Sequence, residues 1–206
     1  MWGDAGWPVT LECGDIVLRP IRYRDKKAWR EVRRRNAEWL APWEATSPVP
    51  GAQLPTFAGM VRALNNQARA STAMPFVIAE RFPGSAAPQL IGQLTVSSIV
   101  WGSAMSATLG YWVEQERAGR GITPTAVAMA TDHCFGRLGL HRMEINIRPE
   151  NAPSLRVVEK LGFRDEGLRP RYLHIDGQWT DHRSFALTAE EVPEGLLSRW
   201  LRSRGD

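Results

Sequence analysis

Strand-like runs of hydrophobic residues, several of them alternating with polar residues, predict a series of β-strands along the chain. The segments that show this pattern are residues 9–22, 76–80, 90–101, 107–113, 141–148 and 163–187. The first and the last segment each predict two strands, joined at Cys13-Gly14-Asp15 and at Asp176-Gly177. Pro83-Gly84 and Gly102-Ser103 separate the middle strands, which are therefore expected to form an antiparallel meander.

Hydrophobic residues spaced three and four positions apart predict helices between these strands. The helical segments are residues 25–40, 56–70, 125–138 and 153–161, with a final helix within residues 189–204. Pro42 stops the first helix, Gly139 and Gly162 end the third and the fourth, and a proline-rich loop occupies residues 43–55. This order predicts an α/β fold on a central mixed sheet, with residues 1–206 in a single domain whose core covers residues 10–188.

The composition is that of an ordinary folded protein. The chain has 206 residues, of which 43% are hydrophobic and 23% charged, so neither a disordered nor a fibrous protein is indicated. It has no run of about 18 apolar residues and no basic-then-apolar leader, which predicts a cytoplasmic protein without membrane association. Its two cysteines lack CxxC spacing and its four histidines are scattered, so neither a disulfide framework nor a metal site is expected.

The net charge of +4 comes largely from arginine. Arginines concentrate at Arg33-Arg34-Arg35 and near the C-terminus, and this balance suits a partner that carries phosphates or carboxylates. A phosphate-bearing ligand and a ribosome-associated setting both fit that charge, and solvated, arginine-rich helix faces are the alternative. The sequence shows no interleaving of aromatic and basic residues, so direct nucleic-acid binding is not expected.

The segment Arg117-Ala118-Gly119-Arg120-Gly121-Ile122-Thr123-Pro124 joins a strand to a helix and predicts a phosphate site. Unpaired N–H groups and partial positive charge at the helix start attract phosphate, and the glycines let the backbone approach it. Arg117 and Arg120 can add charge-assisted contacts, and Pro124 suits the first helical turn. An ordinary glycine-containing turn with solvated arginines is the alternative. The segment matches neither the Walker loop nor the GxGxxG loop of dinucleotide-binding folds.

A second motif begins with Asn151-Ala152-Pro153-Ser154 and continues as Leu155-Arg156-Val157-Val158-Glu159-Lys160-Leu161-Gly162-Phe163. Taken alone, Asn151 predicts a helix N-cap and Ser154 a residue of the first turn. Together, the two motifs resemble the GNAT superfamily of N-acyltransferases, in particular its RimJ/RimL-like branch, as does the segment Trp39-Leu40-Ala41-Pro42-Trp43. The resemblance covers residues 10–187 and implies a mostly antiparallel, seven-stranded sheet whose fourth and fifth strands splay apart.

The resemblance also implies that acetyl-CoA is the cosubstrate and lies between the splayed strands, residues 109–113 and 143–148. Val113 would pair its backbone with the pantetheine, and Asn151 would hydrogen-bond the same arm. Ser154 stands where related enzymes place a hydroxyl near the thioester sulfur. The residues implied to donate N–H groups to phosphate are Gly119, Arg120, Gly121, Ile122 and Thr123.

The loop departs at two positions from the pattern of the superfamily, which is usually Q/R-x-x-G-x-G/A. Ala118 stands at the Q/R position, and Thr123 stands at the final small residue. Arg117 or Arg120 is therefore expected to replace the side chain that often holds the phosphate. Thr123 still offers its backbone N–H and a hydroxyl.

Acetyl transfer to an amine requires a neutral amine, a polarised carbonyl and a proton for the departing thiolate. Ser154 is the candidate for the acid, or for a hydrogen bond to the thiol. Asn146 occupies a position where related enzymes often carry a glutamate base. Glu144 shares a strand face with Asn146, and Tyr111 lies on the opposed strand, so both are candidates for the base. Glu44 in the aromatic loop is a further candidate for the base, and an ordered water is the remaining one.

The acceptor implied by the resemblance is the α-amino group of a protein N-terminus, with a ribosomal protein as the substrate. A small amine such as an amino sugar, polyamine or antibiotic is the alternative, because the fold does not decide the acceptor. A non-catalytic acyl-CoA-binding module is a third hypothesis, since no glutamate base is evident. Trp39, Trp43 and Trp112 are candidates for lining an acceptor channel. A closed, acidic pocket would favour a polyamine, and a wide cleft would favour a peptide.

Overall fold

The structure, a computed structural model, describes residues 6–52 and 54–205, and in these residues eight strands form one mixed sheet. The strands are β1 (Leu11–Cys13), β2 (Ile16–Pro20), β3 (Met74–Glu80), β4 (Gln89–Val100), β5 (Ser106–Val113), β6 (Arg142–Ile147), β7 (Arg164–Ile175) and β8 (Gln178–Thr188). Their order across the sheet is β1-β2-β3-β4-β5-β6-β8-β7. Neighbouring strands pair antiparallel except β5 and β6, which are parallel.

Six α-helices connect or flank these strands in the same residues. They are α1 (Lys26–Arg35), α2 (Ala37–Leu40), α3 (Phe57–Arg69), α4 (Ile122–Gly136), α5 (Ala152–Leu161) and α6 (Leu196–Arg204). Short 3₁₀ turns lie at Tyr23–Asp25, Ala41–Trp43, Gln115–Arg117 and Ala189–Glu191. None of the helices found in the described residues is long and apolar enough to cross a membrane.

The sheet separates two hydrophobic clusters, because alternate residues of its central strands point to opposite faces. On β3, Phe76 and Ile78 belong to the larger cluster and Val77 to the smaller one. The larger cluster includes residues of α4, α5 and α6, and the smaller includes residues of α1 and α3. Helix α4 is buried continuously from Pro124 to Thr131, which fixes its N-terminus relative to the sheet.

The expected mixed, mostly antiparallel sheet with flanking helices is confirmed. It has eight strands, as the hydrophobic pattern predicts, and the count of seven implied by the resemblance is wrong by one. The difference arises at the sheet edge, where β1 pairs with β2 in a hairpin and adds an outer strand.

Two predicted helices differ in extent from those observed. Helix α4 begins at Ile122, not at residue 125, because Gly121 with a φ of +81° serves as its N-cap. It ends at Gly136 with Arg137 as C-cap, before the glycine that was expected to stop it. The predicted final helix is divided into a 3₁₀ turn and α6, because a proline and Gly195, whose φ is +90°, intervene.

The predicted first helix is interrupted at Asn36, between α1 and α2. The Asn36 side chain donates to the carbonyl oxygen of Val32 (2.8 Å) and accepts from the backbone N–H of Gln115 (2.8 Å). These bonds fasten the junction of the two helices to the chain just after β5. The aromatic residues that follow Asn36 are consequently held beside the end of β5.

Strands β5 and β6 pair only near their first residues, from Ser106 opposite Arg142 to Thr108 opposite Glu144. Beyond this point both strands continue without pairing to each other. On its other side β5 stays close to β4, where a Cβ on Gly92 would lie 2.4 Å from the carbonyl oxygen of Trp112. The expected splay is therefore confirmed, and it falls between the fifth and sixth strands because of the added edge strand.

Candidate active site

The gap between β5 and β6 opens into a cleft with a volume of about 690 Å³. Its walls come mainly from the end of β5, the loop before α4, the start of α5, and aromatic residues of α1 and the segment after it. Tyr111, Trp112 and Val113 line the cleft, and so do Asn151 and Ser154. The two sequence motifs therefore meet in one cleft.

The loop before α4 presents backbone N–H groups to this cleft. Gly119 and Gly121 have φ values of +80° and +81°, and Gly121 is an N-cap without a side chain. Pro124 lacks an N–H, and the N–H of Thr125 donates to the carbonyl oxygen of Gly121 (3.1 Å). The preceding N–H groups have no intrahelical acceptor, as at any helix start, so they are available to an anion. The cleft is lined here by Ala118, Gly119, Gly121, Ile122, Thr123 and Pro124.

The two arginines of the loop are not among the described residues that line the cleft. Arg117 lies 3.4 Å from Glu114 and 3.5 Å from Glu80, and its guanidinium stacks 4.7 Å from the centroid of Phe82. Arg120 is exposed and, like Arg117, is not among the described residues that line the cleft. Arg117 is therefore engaged away from the cleft, and the loop itself offers mainly backbone donors to it.

Asn151 is the N-cap of α5, the role that its sequence position alone predicts. Its amide oxygen accepts from the backbone N–H of Ser154 (3.1 Å), and its carbonyl oxygen accepts from the N–H of Leu155 (3.0 Å). Both Asn151 and Ser154 line the cleft. Because the cap uses only the amide oxygen, the amide NH₂ group of Asn151 can still donate to a ligand.

The Tyr111 hydroxyl is a buried polar group in this cleft, without a hydrogen-bond partner among the described residues. Burial raises the pKa of Tyr111 well above its usual range, and the interaction with the Ser154 hydroxyl opposes only part of that rise. Tyr111 is therefore a neutral phenol at physiological pH. This state suits a hydrogen-bond donor and argues against the base role expected for Tyr111. The Ser154 hydroxyl is near enough to affect this pKa but makes no hydrogen bond of acceptable geometry to Tyr111, so the buried phenol can pair with a ligand.

The carbonyl oxygen of Val113 already accepts a hydrogen bond, from the indole N–H of Trp39 (3.2 Å). Trp39 lies just after the interruption at Asn36, and it lines the cleft together with Val113. A carbonyl oxygen has two lone pairs, so it can accept a second hydrogen bond. A ligand that pairs with the backbone of Val113 must share this oxygen with Trp39 or displace the indole.

Aromatic side chains of α1 and β5 form a further wall of the cleft. The rings of Trp29 and Trp112 meet edge to face at 6.4 Å, and the Arg33 guanidinium lies 5.1 Å and 5.5 Å from their centroids. The indole N–H of Trp29 donates to Gln93 (2.9 Å). Arg33 also forms an ion pair with Glu44, whose side chain remains 44% exposed. A stacked arginine therefore holds the Glu44 carboxylate at the cleft.

The start of the proline-rich loop is fastened to the turn between β7 and β8. Ala45 forms a β-bridge with Ile175, and the N–H of Thr46 donates to the carbonyl oxygen of His174 (3.0 Å). The Thr46 hydroxyl in turn accepts from the N–H of Gly177 (3.0 Å). These contacts fix the chain immediately after Glu44.

Glu144 is not among the described residues that line the cleft. It lies opposite Thr108, at the last paired position before the strands splay. Its carboxylate accepts hydrogen bonds from Arg142 (2.8 Å) and Arg169 (3.4 Å). Because both arginines hold this carboxylate outside the cleft lining, its position argues against the base role expected for Glu144. Of the two glutamates considered, Glu44 is the one at the cleft.

The histidines of the chain lie away from the cleft lining in the part that the structure describes. His174 contacts the Thr46 hydroxyl (2.8 Å), and Nδ1 of His182 lies 3.1 Å from the carbonyl oxygen of Thr180. No group of three His, Cys, Asp or Glu side chains that could hold a metal ion occurs within residues 6–52 and 54–205.

Comparison with protein families decides the class of this chain. The model of the Acetyltransferase (GNAT) domain matches residues 15–164, which include both motifs and the splayed strands. The chain belongs to this family.

Several relatives of this GNAT acetyltransferase are known. The [Ribosomal protein uS5]-alanine N-acetyltransferase of Escherichia coli (strain K12) is 30% identical over 189 residues, or 91% of this chain and 94% of that protein. The structure of Mycobacterium smegmatis RimJ in complex with CoA-disulfide is 39% identical, with a TM-score of 0.85 over 97% of this chain and 96% of the other. The probable N-acetyltransferase YjcK of Bacillus subtilis (strain 168) is 37% identical over 99 residues, which span 48% of this chain and 55% of that relative.

Several residues that line the cleft of this GNAT acetyltransferase are not assigned to the site by the sequence analysis. They are Trp29, Arg33, Met60, Gln93, Arg156 and Lys160. Trp29 and Arg33 lie four positions apart on α1, as Arg156 and Lys160 do on α5, so each pair shares a helix face. That spacing is a weak signal for a cleft-lining role, because it places two residues on one helix face without showing whether that face points to the cleft, the core or solvent.

Proposed function

We propose that this protein transfers the acetyl group of acetyl-CoA to the α-amino group of a protein N-terminus, with a ribosomal protein as the acceptor. One observation carries the proposal. A single cleft joins the N–H groups before α4, the Asn151 amide and the unpaired Tyr111 hydroxyl to an aromatic wall that holds Glu44.

The residues of the cleft fit the chemistry of acetyl-CoA. A Cβ on Gly119 would meet nothing within 4 Å, so the backbone there faces open space that a pyrophosphate can approach. The NH₂ group of Asn151 can donate to the amide carbonyls of the pantetheine arm. The cations among the lining residues, Arg33, Arg156 and Lys160, balance the charge of the phosphates. The CoA-disulfide complex of the similar M. smegmatis RimJ supports this assignment.

Tyr111 and Ser154 are the residues that we place at the reacting atoms. Acetyl-CoA, when bound, supplies a thioester whose carbonyl carbon forms a bond to the acceptor nitrogen while the carbon–sulfur bond breaks. Tyr111 is a neutral phenol in a buried site, so it can donate to the oxygen or sulfur on which negative charge develops. The Ser154 hydroxyl lies near Tyr111, and it can donate a hydrogen bond to the same oxygen or sulfur. The amine loses its proton to water, and the departing sulfur gains one through these hydroxyls.

The charge of the cleft supports a peptide as the acceptor more than a polyamine. Its described lining contains one carboxylate, Glu44, and three cationic side chains. A polyamine or an aminoglycoside carries several positive charges and needs several carboxylates, whereas an N-terminus presents a single ammonium group. We assign Glu44 to that ammonium. The name of the similar E. coli protein supports a ribosomal N-terminus, which implies a cytoplasmic enzyme.

A panel of acceptors, measured by release of CoA, tests the proposal. Peptides that begin with a small residue are compared with the same peptides blocked at the α-amine, and with spermidine, an amino sugar and a free amino acid. We expect CoA release from the unblocked peptides alone. Turnover restricted to the small amines would contradict the acceptor class. Binding of acetyl-CoA without turnover on the whole panel would instead indicate a non-catalytic module.

A further inference from the structure

The last helix places an arginine directly against the loop that precedes α4. A Cβ on Gly121 would lie 2.9 Å from Nη1 of Arg204 and 3.4 Å from its Cζ. The same position would lie 3.4 Å from the ring of Trp200. Because Gly121 is the N-cap of α4, the guanidinium of Arg204 lies over the start of that helix.

Helix α6 is held in this place by α4 itself. The Asp132 carboxylate accepts from the backbone N–H groups of Leu196 (2.6 Å) and Leu197 (3.0 Å), at the start of α6. The indole N–H of Trp200, which is 5% exposed, donates to the hydroxyl of Thr125 (2.8 Å). These contacts between the two helices fix the backbone of α6 beside the start of α4.

The neighbouring arginines of α6 are engaged in contacts away from the loop. Arg202 forms an ion pair with Glu194 (2.9 Å), and Arg199 donates to the carbonyl oxygen of Leu161. Arg204 lies 5.7 Å from the centroid of the Trp200 ring, on the side of Gly121. Among the arginines of α6, it is the one whose guanidinium lies against Gly121, a residue of the loop that lines the cleft.

We propose that Arg204 binds a phosphate of the CoA nucleotide and replaces the loop side chain that Ala118 lacks. The inference rests on the proposed function, because it requires that CoA occupies the cleft. A guanidinium binds phosphate through charge-assisted, often bidentate hydrogen bonds, and the N–H groups at the start of α4 attract the same anion. Gly121 makes this arrangement fit, since a side chain there would occupy the space of the guanidinium.

Calorimetric titration of CoA into three full-length proteins tests the inference. These are the wild type, Arg204→Ala, and the control Arg202→Ala, which removes an exposed arginine from the same helix. We expect Arg204→Ala to weaken CoA binding about tenfold, as the loss of one charge-assisted contact predicts, and Arg202→Ala to bind as the wild type does. Pantetheine, which lacks the nucleotide phosphates, should bind all three proteins equally. Dephospho-CoA, which lacks the 3′-phosphate, then identifies the phosphate that Arg204 contacts. If Arg204→Ala also weakens the binding of dephospho-CoA, the contact is with the pyrophosphate. If it does not, the contact is with the 3′-phosphate.

Three results would overturn the inference in distinguishable ways. Equal CoA affinity of Arg204→Ala and the wild type would show that Arg204 does not bind the CoA phosphates, without affecting the proposed function. An equal loss for pantetheine would show that the substitution disturbs the fold of the cleft and not a phosphate contact. Failure of the wild type itself to bind CoA would overturn the proposed function together with the inference.

Discussion

The amide oxygen of Asn151 accepts a hydrogen bond from the backbone N–H of Ser154, at 3.1 Å. This bond caps α5, and the two residues that it joins also line the cleft. The structural role of Asn151 uses its Oδ1 atom, whereas the proposed role in binding CoA uses its Nδ2 atom. The two roles can therefore be separated by substitution.

Asn151→Asp keeps the acceptor of the cap and removes the NH₂ donor. We expect it to unfold with the same free energy as the wild type but to bind CoA roughly tenfold more weakly, because it loses one hydrogen bond. Asn151→Ala also removes the cap, so its free energy of unfolding should fall by about 1 kcal/mol. Urea unfolding and CoA titration measure the two effects. Wild-type affinity of Asn151→Asp for CoA would exclude the ligand role.

Tyr111→Phe removes a buried hydroxyl that has no hydrogen-bond partner among the described residues. The free energy of unfolding should be unchanged or higher, because an unpaired polar group is lost from the interior. Turnover at saturating acetyl-CoA should fall roughly ten- to hundredfold, as expected for a donor at the reacting atoms.

The pH dependence of turnover separates the donor role of Tyr111 from a base role. Burial raises the pKa of Tyr111, so its hydroxyl stays protonated throughout the neutral range. The acidic limb of the pH–rate profile should therefore lie at the same pH in Tyr111→Phe and the wild type. Disappearance of that limb, or unchanged turnover, would show that the role assigned to Tyr111 is wrong.

Glu44 and Glu144 form a matched pair for testing the acceptor site. Glu44 lines the cleft, whereas Glu144 is held by Arg142 and Arg169 outside it. We expect Glu44→Gln to raise the KM for a peptide acceptor about tenfold, because a charge-assisted contact with its ammonium is lost. Glu144→Gln should leave KM and kcat near wild-type values. A loss of turnover in Glu144→Gln alone would restore Glu144 as the base.

Gly92 allows the close approach of β4 and β5 beside the cleft. A Cβ there would lie 2.4 Å from the carbonyl oxygen of Trp112, a backbone atom that cannot rotate away. Gly92→Ala should therefore lower the free energy of unfolding by about 1–3 kcal/mol and weaken CoA binding. Gly110→Ala on β5 is the control, since a Cβ there meets nothing within 4 Å. Equal stability of the two variants, measured in urea, would contradict this view of the strand pair.

The strands and the two motifs could be predicted from the sequence because they depend on neighbouring residues. Alternating hydrophobic residues determine the strands, and Gly14 and Gly177 mark two of the turns between them. Asn151 likewise caps the helix that it begins. The interruption at Asn36 was missed because it depends on a hydrogen bond to Gln115, a residue distant in the sequence.

The acceptor side of the cleft could not be predicted in the same way. The choice between Glu44 and Glu144 depends on which arginines the fold brings to each carboxylate, and Arg169 reaches Glu144 from a later strand. The place of Arg204 depends on the packing of Trp200 against Thr125. The spacing of residues along the chain does not predict such long-range contacts.

The central claim is that this cleft directs acetyl-CoA to the α-amine of a protein N-terminus. The direct measurement is tandem mass spectrometry of a peptide with a small first residue and one internal lysine, after incubation with the protein and acetyl-CoA. We predict one acetyl group on the α-amine with the wild type and a slower reaction with Asn151→Asp. An acetyl group on the lysine alone, or an unmodified peptide, would contradict the claim.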